Sequence, residues 1–136
     1  MYLTYAAPRG HALIDRALYL PKSWTDDPGP CTASGVPADV GFATKPALAQ
    51  RMINAALDGE VPDSWVAGNE VYDNDPKLRT ALEQRHVGYV LAVACAHRVP
   101  TAAGPARADS VARGLPGCAW QVLSAGAGSK GPRMYS

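Results

Sequence analysis

At 136 residues, 47% of them apolar and 18% charged, the chain can build one modest hydrophobic core and is not composed like a disordered protein. Its net charge of +1 excludes a uniformly basic or acidic surface. The charge is uneven, however: residues 1–95 carry 8 basic and 11 acidic side chains, and residues 96–136 carry 5 basic and 1 acidic.

A basic tail of this kind either meets phosphate backbones or is a soluble loop with scattered arginines. Cys31, Cys95 and Cys118 are widely spaced and form no CxxC pair, which argues against a disulfide framework and against zinc. Cys95-Ala96-His97 has no second pair to complete a metal site. Met1 to Leu20 is broken by Arg9, His11, Asp15 and Arg16, unlike a signal peptide. The longest apolar run, Tyr89 to Cys95, is too short to span a bilayer. The expected location is the cytoplasm, with no membrane partner.

In chain order, Met1 to Ala6 is rich in β-preferring residues and reads as a strand. Pro8-Arg9-Gly10 marks a turn, and His11 to Leu20 reads as the returning strand of a hairpin, with helix as its rival. Residues 22–43 hold Asp26-Asp27-Pro28-Gly29-Pro30 and Gly35-Val36-Pro37, punctuation that forbids long elements. A helix follows, with Thr44 as N-cap, Pro46 in the first turn, Leu48, Met52, Ile53, Ala56 and Leu57 on one face, and Gly59 as terminator. Ser64 to Ala67 is a short strand, and Asp75-Pro76 starts a helix with Leu78, Ala81 and Leu82 as its buried stripe, closed by Gly88. The uninterrupted run Tyr89 to Cys95 suits a parallel strand buried on both faces, so residues 64–95 form a βαβ unit. Beyond it, Ala106 to Gly114 reads as a short helix and Ala119 to Ser124 as a short strand or helix. Gly126 to Arg133 is glycine-rich, lacks P-loop spacing and reads as a flexible loop.

Candidate chemistry gathers at Gly68-Asn69-Glu70-Val71-Tyr72-Asp73-Asn74-Asp75, a strand end turning into a helix. α/β enzymes place metal-binding or catalytic carboxylates at such strand ends. Asn69 puts an amide there, and on spacing alone the stretch reads as a polar turn with Asp75 capping the helix. Lys22-Ser23-Trp24, at the end of the second strand, could grip a nucleic-acid backbone and stack on a base, or Trp24 simply packs over its loop. His11, His86 and His97 are scattered, which gives nucleophilic triad chemistry no support.

Longer blocks carry a more specific signal. Gly10-His11-Ala12-Leu13-Ile14-Asp15-Arg16, Leu18 to Thr25, Val40-Gly41-Phe42-Ala43-Thr44-Lys45-Pro46, Trp65 to Tyr72, Gly88 to Ala94 and Trp120 to Arg133 resemble, in the same order, bacterial insertion-sequence transposases of the DDE superfamily. The resemblance implies an α/β, RNase H-like catalytic domain whose three acids hold Mg²⁺ and cut and join DNA ends. It places a partial RNase H-like fold over residues 1–95, a mixed sheet with an N-terminal β-hairpin and the βαβ unit at 64–95. Residues 96–136 become a Gly/Pro/Ala-rich basic insertion or tail, expected to be loosely structured.

The resemblance also implies departures. The family's middle acid falls at Asn69, within Gly68-Asn69-Glu70-Val71-Tyr72. The chain matches from the family's second strand onward and stops before the downstream Glu, so the first strand and both outer acids are expected to be missing. Loss of that central strand leaves two sheet fragments with unpaired edges. Glu70 is the adjacent acid, but neighbouring side chains on a strand point to opposite faces. The resulting expectation is a truncated transposase remnant, with no metal held by this chain. The alternatives are a non-catalytic DNA-binding or regulatory fragment, acting through Lys22, Trp24, Lys130 and Arg133 or by oligomerising with a full-length transposase, and an unstable product of a decaying gene.

Overall fold

The computed structural model describes residues 1–62, 65–73, 75–128 and 131–135. By packing, the chain divides into two units, Met1–Ala92 and Val93–Ser136.

In the first unit, β1 (Tyr2–Ala7) and β2 (Gly10–Arg16) form the expected antiparallel hairpin. Its register runs from Tyr2 opposite Arg16 to Ala7 opposite Gly10, with a bulge near Leu3 and Thr4. The second strand is shorter than the sequence suggested. It stops at Arg16, and Leu20 leaves the ladder to become a buried side chain. Two short helices occupy the start of the punctuated stretch: α1 (Lys22–Thr25) and α2 (Pro28–Ala33). Asp27 starts α2 by accepting a hydrogen bond from Gly29 N–H at 3.1 Å, with Pro28 at the first helical position.

The long helix α3 (Lys45–Asp58) begins as its sequence predicts: Thr44 Oγ1 accepts from Ala47 N–H at 3.3 Å. Its inward face carries Leu48, Ala49, Met52 and Ile53, while Ala56 and Leu57 are half-buried. The strand β3 (Trp65–Gly68) follows, then one turn of helix, α4 (Glu70–Asp73), and α5 (Pro76–Gln84). Asp75 Oδ1 caps α5 through Lys77 N–H at 2.9 Å. Leu78 and Leu82, one helical turn apart, are 2% and 1% exposed and meet Ala49 and Ile53 of α3 to form the centre of the core.

β4 (Gly88–Leu91) pairs in parallel with β3, Trp65 opposite Gly88 and Gly68 opposite Leu91. Residues 65–91 are therefore a βαβ unit, and the first unit is mixed α/β with an N-terminal hairpin and a parallel pair, the arrangement of a partial RNase H-like fold. Three sequence expectations change. The final strand ends at Leu91 rather than Cys95, because its four-residue partner runs out and Ala92 N–H makes the last rung to Gly68 O. It is not buried on both faces, since Val90 is 63% exposed. Among the described residues, the hairpin and the parallel pair are separate two-stranded sheets rather than one mixed sheet.

Gly88 does not end the helix. Arg85 caps α5, and His86 takes the left-handed conformation at φ 57°. Gly88 instead lies under the Trp65 ring, where a β-carbon would come within 2.9 Å of the indole. Similarly, Glu60, one residue past the cap Gly59, has φ 57°.

In the second unit, β5 (Arg98–Val99) and β6 (Ala106–Arg107) make a short antiparallel pair that leads into α6 (Ala108–Gly114). A 3-10 turn covers Gly117–Ala119, and β7 (Leu123–Gly128) pairs with β8 (Gly131–Tyr135). The stretch read from its glycines as a flexible loop thus lies largely in strands, from Leu123 opposite Tyr135 to Gly128 opposite Gly131. Among the described residues, no helix is long and apolar enough to cross a membrane.

Candidate functional site

The strand β3 ends at Gly68, one residue before Asn69. That single residue decides what Asn69 does. Its side chain is no longer held in the alternation of a strand but sits at the entrance to α4, where its Oδ1 accepts from Val71 N–H at 3.2 Å and its main-chain oxygen accepts from Tyr72 N–H at 3.1 Å. This is the geometry of an N-cap, in which a short polar side chain satisfies one of the orphan donors of the first turn. Gly68 lies close under its neighbours: a β-carbon there would come within 3.0 Å of the Leu91 side chain and 3.1 Å of the Tyr72 ring, which would have to shift.

Glu70 is the first residue of α4 and is exposed, rather than lying on the strand opposite Asn69. Asp75 has an assigned structural role as the cap of α5. Asn74 lies outside the described residues. Among the described residues, no three His, Cys, Asp or Glu side chains are gathered closely enough to hold a metal ion. A divalent cation of the Mg²⁺ kind needs several hard oxygen donors with charge to match its own. A neutral amide oxygen already engaged by Val71 and one exposed carboxylate do not fit that requirement.

The nucleic-acid candidates are also redistributed. Lys22 and Trp24 lie on α1, not at the end of a strand. Two positions apart on a helix, they lie on different faces of it. The Lys22 carbonyl accepts from Thr25 Oγ1 and from Asp26 N–H, both at 2.9 Å, and Trp24 is 38% exposed. Lys130 lies outside the described residues, and Arg133 is placed in β8 by its backbone alone.

Three other arginines of the basic segment are engaged internally. Arg98 donates to Pro105 O at 2.8 Å. Arg107 grips Asp109 through Nε at 3.0 Å and through its terminal nitrogen at 2.9 Å, and Arg113 reaches the same carboxylate at 2.9 Å. The hydrogen bond from Arg107, aided by the charges of both arginines, holds the Asp109 carboxyl down from 3.8 to about 2. Asp109 also raises the Arg107 guanidinium above its ordinary value. The i,i+4 spacing of Asp109 and Arg113 is the one trace of this cluster that can be read without the structure.

The fold defines the class as a mixed α/β unit with a polar corner at the carboxyl end of a parallel strand. The comparisons narrow it. The family model described as DDE superfamily endonuclease matches residues 1–119, so the chain belongs to that family. The match runs through the first unit and on through β5, β6 and α6, and it leaves Trp120 to Arg133 outside. No curated protein and no solved structure matches the chain.

Proposed function

We propose that this chain keeps part of the scaffold of a DDE superfamily endonuclease and does not itself cut DNA. The parental activity is DNA transposition by Mg²⁺-dependent cleavage and strand transfer, as in insertion-sequence transposases, and DNA is the polymer that the family acts on. The observation that carries the reading is Asn69. It stands at the strand end where the resemblance puts the middle acid, and its amide oxygen is spent on capping α4. Neighbouring Glu70 lies exposed at the start of α4, and among the described residues no group of three potential ligands gathers around it. Two-metal phosphoryl transfer needs converging carboxylates, and the described residues supply no such set.

In this reading the protein is a cytoplasmic, non-catalytic member of its family. Any hold on DNA would come from cations such as the exposed Lys22, and from Lys130 and Arg133 of the basic segment. The test is relaxation of supercoiled plasmid by the purified chain in Mg²⁺ and in Mn²⁺. No nicking above a metal-free control is expected. Metal-dependent nicking that co-purifies with the folded chain and disappears in Glu70→Gln would overturn the proposal.

A further inference from the structure

Away from the Asn69 corner, the first unit holds a cleft of about 350 Å³ between three pieces of chain: the residues that follow β2, the loop 39–43, and α3. The buried Leu48 of α3 lines it. Leu18 and Phe42 line it from two other walls, and each is about half exposed. The cleft therefore has an apolar surround that stays open to small molecules.

Two charges share this surround. Asp39 lies in the loop and Arg51 in the second turn of α3, and both are exposed. Among the described residues, neither makes an ion pair or a side-chain hydrogen bond, with the other or with any third group. Elsewhere in the chain acids and arginines meet directly, Asp58 with Arg85 and Asp109 with Arg107 and Arg113. Asp39 and Arg51 line one cleft and stay apart. The loop adds main-chain groups. A turn closes from Val40 N–H to Pro37 O at 3.1 Å. After it, Gly41, Phe42 and Ala43 make no hydrogen bond among the described residues before Thr44 caps α3. Such groups are met by water or by a ligand.

We infer that this cleft binds a free α-amino acid with an apolar side chain. One small molecule has to offer an anion to Arg51, a cation to Asp39 and an apolar group to Leu18, Phe42 and Leu48. An α-amino acid carries all three on one carbon. A guanidinium matches a carboxylate through two parallel hydrogen bonds. An ammonium has three donors, enough for the Asp39 carboxylate and for carbonyls of the loop. The volume lies near the lower end of small-molecule sites, about 300–1,000 Å³, and a few polar groups in an apolar lining are what such sites present. A nucleotide is a poorer occupant, since Asp39 in the same cleft repels its phosphate. The cleft shares no residue with the Asn69 corner, so this inference stands apart from whether the chain cuts DNA.

The test titrates the intact chain with L-leucine and with L-phenylalanine and follows amide chemical shifts by NMR. N-acetyl-L-leucine and L-leucinamide, which lack the cationic and the anionic end, are titrated beside them. The expected result is saturable shifts at residues 39–43 and around Arg51, with Kd of about 1 mM or below. Capping either end of leucine should weaken binding by about tenfold or more. Arg51→Gln should weaken leucine by a similar factor and leave leucinamide unchanged, and Asp39→Asn should do the same with N-acetyl-leucine as the insensitive ligand. Both side chains are exposed, so neither substitution should move the thermal melt. Absence of saturable binding by both amino acids at about 10 mM overturns the proposal. Capped ligands that bind as well as leucine overturn it too, by marking apolar contact alone. Binding that both substitutions leave intact overturns it by placing the site elsewhere.

Discussion

Replacing Asn69 by alanine and by aspartate separates the two roles open to the residue at the end of β3. As a cap, Asn69 contributes one side-chain hydrogen bond, 3.2 Å from its Oδ1 to Val71 N. Loss of such a cap costs about 0.5–2 kcal/mol. The residue is exposed and α4 has four residues, so the low end applies, about 0.5–1 kcal/mol. For a unit of this size each kcal/mol moves Tm by about 4–8 °C, so Asn69→Ala should lower Tm by about 2–8 °C. Asn69→Asp keeps the acceptor and adds charge at a helix start, worth a few tenths of a kcal/mol, against repulsion from Glu70 of similar size. It should stay within about 0.5 kcal/mol of the parent. Thermal melts followed by circular dichroism measure both variants, and plasmid relaxation in Mg²⁺ and Mn²⁺ measures cutting. An alanine variant with an unchanged Tm would refute the cap as the reason for the residue. Metal-dependent nicking by Asn69→Asp would refute the reasoning that one restored carboxylate finds no partners.

Other perturbations test the packing around this corner. Gly88→Ala drives a β-carbon into the Trp65 indole at 2.9 Å and should cost about 1 kcal/mol, since that ring, 68% exposed, has room to shift. In a Trp65→Ala background the same change should be neutral; equal costs in both backgrounds, by urea denaturation, would contradict the contact. His86→Gly relieves a left-handed backbone at φ 57° and should stabilise by about 0.5–1 kcal/mol, whereas His86→Ala should bring no such gain. Leu82→Ala, at 1% exposure in a small core, should cost about 3 kcal/mol, a large part of the stability that such a unit has to lose. Asp109 has a folded-state pKa below its unfolded one, so its contribution to stability is present above about pH 4 and is lost as pH falls from 3.8 towards 2. Asp109→Asn should remove that part of the acid transition, and an unchanged acid titration of α6 by NMR would show the arginine contacts to be idle.

Elements controlled by nearest neighbours were legible in the sequence. Thr44 and Asp75 cap α3 and α5 where spacing put them, because an N-cap needs only its own side chain and an N–H two or three residues on. The parallel pairing around α5 was legible for a similar reason: a strand, a helix and a strand of suitable lengths have few ways to pack. Errors arose where distant residues decide. Gly88 reads locally as a helix stop, yet its role is set by Trp65, 23 positions away in the chain, whose ring takes the space a side chain would need. The apolar run to Cys95 reads as one long buried strand, but a ladder cannot outlast its partner, and β3 ends at Gly68. The glycine-rich stretch after Leu123 is held by cross-strand pairing with Gly131–Tyr135, which periodicity does not report.

The same distinction governs the candidate site. That Asn69 lies at the end of a parallel strand follows from the run before it and the Asp75-Pro76 start after it. What its side chain does depends on where the strand ends, and a shift of one residue changes the answer. Were β3 two residues longer, Asn69 and Glu70 would point to opposite faces of the strand. With β3 closed at Gly68, Asn69 stands at the entrance to α4, where its side chain reaches forward to the Val71 amide. An aspartate would reach the same amide equally well. The cap therefore tolerates either residue, and nothing in the folding of this corner requires a carboxylate. A selective demand for one could come only from the ions that the family's chemistry uses. Asparagine at this position meets all that the folding of the corner requires.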